Sequence, residues 1–202
     1  MMKLLAEYWP CKESSLASRL GVRPLTPADV LDCVNVESVF PSQERCSEAK
    51  FHYRLKECPY LCLGLFDGTT SAPISEKLIG HVIATRTSEP SVTEGAMEIP
   101  DQMSRDAKTD TTVGHDQNGK NVAVHSLCII QEYQGRKLGR ALISAYINYL
   151  EKCVADTQNV VIIAHDHLIK FYESVEFVNN GPSKCTFGGG GWFDMALDLR
   201  KS

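Results

Sequence analysis

Residues 122–150, VAVHSLCIIQEYQGRKLGRALISAYINYL, constrain the fold more than any other stretch. Residues 122–130 are an apolar, β-rich run. A polar turn, residues 131–137, follows directly. Leu138, Ala141, Leu142, Ala145, Tyr146, Tyr149 and Leu150 then recur at the i, i+3, i+4, i+7 spacing of an amphipathic helix. The first amides of such a helix have no carbonyl within reach, and the helix dipole adds to them. Together they make an anion site suited to pyrophosphate. Gly135 and Gly139 allow a ligand close to the backbone, and Arg136, Lys137 and Arg140 add positive charge.

Other elements fall around this unit. Residues 21–25 read as a first strand. Thr26, Pro27 and Asp29 form a helix start, with Val30, Leu31 and Val34 continuing toward Phe40. A second helix is expected after Ser47, and strands over 61–66 and 78–86. Residues 160–164 are a short apolar strand, 167–175 a short helix, and 192–199 alternate with period two. Gly188–Gly191 precede a strand and not a helix, so they are expected at a hairpin tip, not a phosphate loop. The pattern gives an α/β (α+β) class with a sheet of mixed direction.

Composition limits the partners. The chain has 202 residues, 43% of them apolar, enough for one domain of ordinary core. Lys and Arg total 21 against 25 Asp and Glu, a net charge of −4, which argues against general nucleic-acid binding. No run approaches the roughly 18–20 apolar residues that cross a bilayer, so no membrane partner is expected. An apolar start to the chain is broken by Glu7, Pro10 and Lys12, which speaks against a signal segment. A cytoplasmic location is expected. The eight cysteines are scattered, and the close pair Cys58 and Cys62 has no matching second pair, so buried thiols are expected and no metal site. Residues 88–121 hold seven acids against three bases, the whole net charge, with few large apolar groups. They read as a mobile acidic insert within one domain spanning 19–202, after a tail of residues 1–18. Ser104, Thr109 and Thr111 in it are candidate phosphorylation acceptors.

Gln134-Gly135-Arg136-Lys137-Leu138-Gly139 resembles the acetyl-CoA signature Q/R-x-x-G-x-G/A of the GNAT acetyltransferase superfamily. CPYLCLGLF at 58–66 resembles the CPELxLGxF segment of its arylalkylamine N-acetyltransferases. AHDHLIKFY at 164–172, followed by Phe177, is similar to their ALxPFYxxxGF block, and Gly181-Pro182 with Phe193-Asp194-Met195 to their closing hairpin. The likeness runs from Leu20 to Leu199 outside the insert, and is greatest to the fungal branch of arylalkylamine (serotonin) and polyamine N-acetyltransferases. Departures are Lys137 and Glu176 where the family has glycine, Lys170 where it has proline, and Ala123 where the vertebrate branch has the first of two histidines. A helical φ at Lys137 would still let its amide be donated.

The resemblance implies a single GNAT-like domain: a mixed, mostly antiparallel sheet with two splayed parallel central strands, flanked by helices. It implies acetyl-CoA as co-substrate, no metal, a small-molecule amine acceptor, direct transfer in a ternary complex, and a monomer. Backbone groups of Leu127, Cys128 and Ile129 would pair with the pantetheine arm. Residues Gln134, Gly135, Arg136, Lys137, Leu138, Gly139 and Arg140 would hold the pyrophosphate, and Leu168 and Phe171 would add apolar walls. An amine of pKa near 10 must lose a proton to attack. His125 through water is the first candidate base, and Glu44, in a loop where insect relatives carry a carboxylate base, the second. Tyr172 would protonate the departing thiolate. Phe40, Val124, Phe187 and Trp192 occupy segments that line the aromatic-amine site. A polyamine would instead use carboxylates such as Glu37, Glu44 and Glu48. Acetylation of protein N-termini or lysines, or CoA binding without turnover, are the alternatives.

Overall fold

The computed structural model describes residues 19–68, 76–100 and 113–201. The expected tail (1–18) and the three candidate phosphorylation acceptors lie outside the described residues. The strands are β1 (Leu20–Pro24), β2 (Leu63–Gly68), β3 (Glu76–Thr87), β4 (Asn121–Ile129), β5 (Asn159–Ala164), β6 (Val178–Pro182) and β7 (Phe193–Asp198). The helices are α1 (Val30–Val36), α2 (Glu48–Glu57), α3 (Glu94–Met97), α4 (Leu138–Cys153) and α5 (Ile169–Glu173). The strands form one seven-stranded sheet in the order β1-β2-β3-β4-β5-β7-β6. The β4–β5 pair is parallel, whereas β1–β2, β2–β3, β5–β7 and β6–β7 are antiparallel. This is the mixed α/β architecture expected from the sequence.

The chain divides into two compact units, one from its start to Ile83 with Ser126–Ala155, the other Ala84–His125 with Asp156 onward. In the first, the Asp29 carboxylate accepts from the Thr26 amide (2.8 Å) and takes the Arg23 guanidinium (2.8 and 3.0 Å), which sets the entry to α1. Ser47 caps α2 by accepting from the Lys50 amide. The strand expected from Leu61 begins at Leu63, because Pro59–Leu61 close a 3-10 turn. Leu25, Val30, Phe51, Leu55, Phe66 and Ile83 form the core. The fully buried Tyr146 of α4 donates its hydroxyl to the Leu61 carbonyl at 2.8 Å.

In the second unit, β4 and β5 are paired from Asn121↔Asn159 to Val124↔Ile162. The pairing stops there, although β4 runs on to Ile129 and β5 to Ala164. The acidic segment is built at both flanks. Thr93 caps α3 by accepting from the Ala96 amide, and Val92 and Met97 are buried with Ala123 and Val161. The chain returns through Gly119, whose carbonyl accepts from the Arg86 guanidinium at 2.9 Å. Only residues 101–112 of the segment are outside the described chain, so its flanks belong to the core.

Both positions where glycine is replaced keep glycine's backbone. Lys137 has φ +61° and Glu176 φ +73°, left-handed in each case. The helical φ expected at Lys137 is therefore not adopted. An L-residue there costs roughly 1–2 kcal/mol, and a glycine loses part of that gain to its freer unfolded chain. Lys137→Gly and Glu176→Gly are each expected to raise stability by about 0.5–1 kcal/mol in urea titrations. Lys137→Ala, which keeps the Cβ, should give no gain.

Candidate active site

The first unit carries the anion-binding end. Ala141 is the first residue seen to donate into α4, to the Lys137 carbonyl at 3.1 Å, and no side chain caps the helix. The amides of Leu138, Gly139 and Arg140 thus precede any acceptor the helix offers. Gly135 has φ +72°, and a Cβ there would meet nothing within 4 Å, so the turn is open on that side. Arg136, Lys137 and Arg140 are exposed. Donors without acceptors, a dipole end and three cations form a donor set that fits a pyrophosphate. Gln134 donates its side-chain amide to the Ile129 carbonyl at 2.9 Å, fastening this turn to the end of β4.

On β4, the Cys128 thiol is buried and donates to the Val36 carbonyl at 3.3 Å; burial pushes it well above the usual thiol range. Only the backbone of Cys128 is left for a ligand. Leu127 is half-buried and Ile129 buried. The loop expected to carry the second candidate base is residues 40–45. Phe40 packs partly buried on the core cluster, and Glu44 sits half-buried in a 3-10 turn, Ser42–Glu44. Arg45 donates to the Phe40 and Ser38 carbonyls, both at 2.7 Å. The Glu37 carboxylate accepts from the Cys46 amide at 2.6 Å and lies 3.5 Å from Nε2 of the buried His81, which is 3.0 Å from the Ser126 hydroxyl. Burial works to raise the Glu37 carboxyl, but hydrogen bonds with His81, Ser126 and Cys46 outweigh it and hold the group below its usual range. Glu37, expected among carboxylates available to a polyamine, is 2% exposed and committed to this network, so it cannot meet an ammonium group.

The second unit contains His125, Tyr172, Val124, Phe187 and Trp192. His125 has both ring nitrogens engaged: Nε2 lies 2.8 Å from the Thr85 hydroxyl and Nδ1 2.9 Å from the Met97 sulfur. A thioether has no proton to give, so Nδ1 is the donor and, in the neutral ring, Nε2 accepts from Thr85. With that tautomer the Thr85 hydroxyl covers the Nε2 lone pair, so a proton reaches Nε2 by way of that hydroxyl.

Tyr172, on α5, is buried and packs edge-to-face on Phe171 (5.0 Å) and Phe177 (5.6 Å). Burial pushes its phenol above the ordinary value near 10, so it stays protonated through the physiological range. Leu168 closes the 3-10 turn before α5 and is half-buried. Val124 is buried at the last β4–β5 pair. Phe187 packs partly buried on Val92, Met97, Ala123 and Val161. Its carbonyl accepts from the Trp192 indole N–H at 2.7 Å, and Trp192 stacks on His165, centroids 3.9 Å apart. The glycines 188–191 all have positive φ in the turn between these aromatics.

Thr85, Met97, His165 and the Glu37–His81–Ser126 network were not singled out from sequence. His81 and Thr85 lie in an apolar strand where nothing marks them. Met97 had a local signal, because Thr93-Glu94 is a helix cap followed by an acid.

Residues 77–199 match the family model of the acetyltransferase (GNAT) domain, more than half of the chain. By sequence, no curated protein matches. Solved structures with a similar fold include the loading GNATL domain of CurA from Lyngbya majuscula. It has 13% identity and a TM-score of 0.67, over 91% of this chain and 99% of that one. The ribosomal-protein-S18-alanine N-acetyltransferase from Escherichia coli has 19% identity and a TM-score of 0.55, over 89% and 94%. The paia N-acetyltransferase from Thermoplasma acidophilum, solved in complex with coenzyme A, has 14% identity and a TM-score of 0.56, over 89% and 98%. At these identities the likeness is one of fold.

Proposed function

The chain belongs to the GNAT acetyltransferase family, and from that premise we propose that it acetylates the primary amine of arylalkylamines of the tryptamine, serotonin and phenethylamine type. It is an acetyl-CoA-dependent acetyltransferase, and the acceptor is what remains to be assigned. The reading rests on the two aromatic side chains of the second unit. Trp192 is fixed by its N–H on the Phe187 carbonyl and by stacking on His165, which suits recognition of a planar ring.

Acetyl-CoA supplies the activated acetyl thioester and, once the acetyl has left, a thiolate. The uncapped amides at the start of α4, with Arg136, Lys137 and Arg140, hold the diphosphate. The backbone of Leu127, Cys128 and Ile129 would hold the pantetheine arm, and Leu168 and Phe171 would offer it apolar contact. His125 takes the ammonium proton through water and the Thr85 hydroxyl, which hands its own proton to Nε2 and is reprotonated from the water; Glu44 is the second candidate. Tyr172 then gives its phenolic proton to the thiolate. Val124 and Phe40 are the remaining apolar candidates for contact with the acceptor. The protein works as a monomer in the cytoplasm; among the described residues no helix is long and apolar enough to cross a membrane.

Polyamines form a second acceptor class. The observation in their favour is a cleft of about 740 Å³ in the first unit, whose lining among the described residues includes Asp32, Glu76 and Glu132 against Lys77. Thiol release from acetyl-CoA, measured with tryptamine and spermidine in parallel, decides between them. The expected result is a higher kcat/KM for tryptamine, lowered by about 100-fold in His125→Ala. Preference for spermidine would move the assignment to the carboxylates. Turnover of neither amine would move it to protein acceptors, or to a cofactor-binding protein without turnover.

A further inference from the structure

The acidic stretch between β3 and β4 reads from sequence as an insert, yet two of its side chains end on groups assigned to acetyl transfer. Met97, the last residue of α3, places its sulfur 2.9 Å from Nδ1 of His125. Glu94, at the first position of the same helix, accepts from the Thr186 amide at 3.1 Å and from the Thr186 hydroxyl. Thr186 immediately precedes Phe187, and the Trp192 N–H is bound to the Phe187 carbonyl. One turn of helix therefore touches the candidate base through one end and anchors the aromatic loop through the other.

We propose that α3 is a positioning element of the acceptor end, with Met97 setting the tautomer of His125 and Glu94 holding the loop that carries Phe187 and Trp192. A neutral imidazole has one proton and two nitrogens, and catalysis at Nε2 requires the proton to sit on Nδ1. A thioether can only accept, so its contact with Nδ1 selects that form. Thr85 does not make the choice, because a hydroxyl donates or accepts equally well. Met97 is buried and packed with Val92, Ala123, Val161 and Phe187, so the sulfur is held where it acts. Glu94 is exposed, and what it adds is a tether: two hydrogen bonds from one residue fix the start of the loop. The Met97 part rests on His125 being the base; the Glu94 part does not.

The test uses nitrogen-labelled full-length protein and histidine ring NMR, with the His125 signals assigned by their loss in His125→Ala. Wild type is expected to carry the proton on Nδ1. Met97→Leu keeps the volume and removes the acceptor; it should redistribute the proton toward Nε2 and lower kcat about three- to tenfold, with acceptor KM unchanged. Glu94→Ala should raise acceptor KM about three- to tenfold and leave acetyl-CoA KM and the His125 tautomer as they were, with Glu94→Gln between it and wild type. A wild-type proton on Nε2, or a tautomer indifferent to Met97→Leu, overturns the role of Met97. Equal change in both KM values overturns that of Glu94. The tautomer reading needs no turnover. If His125→Ala is as active as wild type, the assignment of the base fails, while the ring spectra and the Glu94 kinetics still decide whether α3 positions these groups.

Discussion

Tyr172→Phe is expected to lower kcat for acetyl transfer by roughly two to three orders of magnitude while leaving acetyl-CoA KM near wild type. Among the described residues nothing hydrogen-bonds the Tyr172 hydroxyl, so its removal leaves no orphaned partner, and the ring contacts with Phe171 and Phe177 survive. The fold should hold, and the loss then reports the missing proton. Stability offers a second reading. A phenol whose folded pKa is raised by burial stays neutral after the unfolded chain has begun to ionise near pH 10. Its contribution is fully present below that pH and is lost as pH rises toward the folded value. Wild type should therefore lose more stability than Tyr172→Phe between pH 8 and 10.5 in urea titrations. Equal losses, with kcat retained, would remove Tyr172 from both roles.

Gly119→Ala should be the most damaging small substitution for stability. A Cβ at this position would lie 2.4 Å from the carbonyl carbon of Thr87 and 2.6 Å from its nitrogen and oxygen. Those are backbone atoms of β3, which cannot swing aside as a side-chain tip would. The flank must retreat, and the hydrogen bond from Arg86 to the Gly119 carbonyl goes with it. A loss of about 3 kcal/mol is expected, read by thermal or urea unfolding. Were the segment between β3 and β4 a loose connection, the same change would be silent.

Periodicity carried most of the fold. The turn from β4 into α4, the cap at Thr26 and the alternation in β7 are local signals, and each stands in the structure where the residues place it. Boundaries slipped where a proline or a short turn intervened, as at Pro59–Leu61. The acidic segment reads as a mobile insert because its composition is polar on average. Two apolar residues, Val92 and Met97, are enough to root it, and an average conceals them. The Glu37–His81–Ser126 network illustrates a different limit. Glu37 and His81 are 44 residues apart and His81 and Ser126 45, and only tertiary packing brings them within hydrogen-bond reach. Conversely, the backbone angles at Lys137 and Glu176 show that a motif's glycine describes a torsion, and other residues can meet it at a cost.

The Cys128 thiol points away from any ligand lying along its strand and is spent on the Val36 carbonyl. Had it faced the other way, a sulfur would stand beside the thioester and the acetyl group could be parked on the protein between two half-reactions. Turned inward, it removes that storage point from β4. With the direct transfer proposed above, both substrates are bound at once, and control lies in the order in which they arrive and leave. A relative that gained an outward cysteine here would acquire a different kinetic design from a single side-chain reversal.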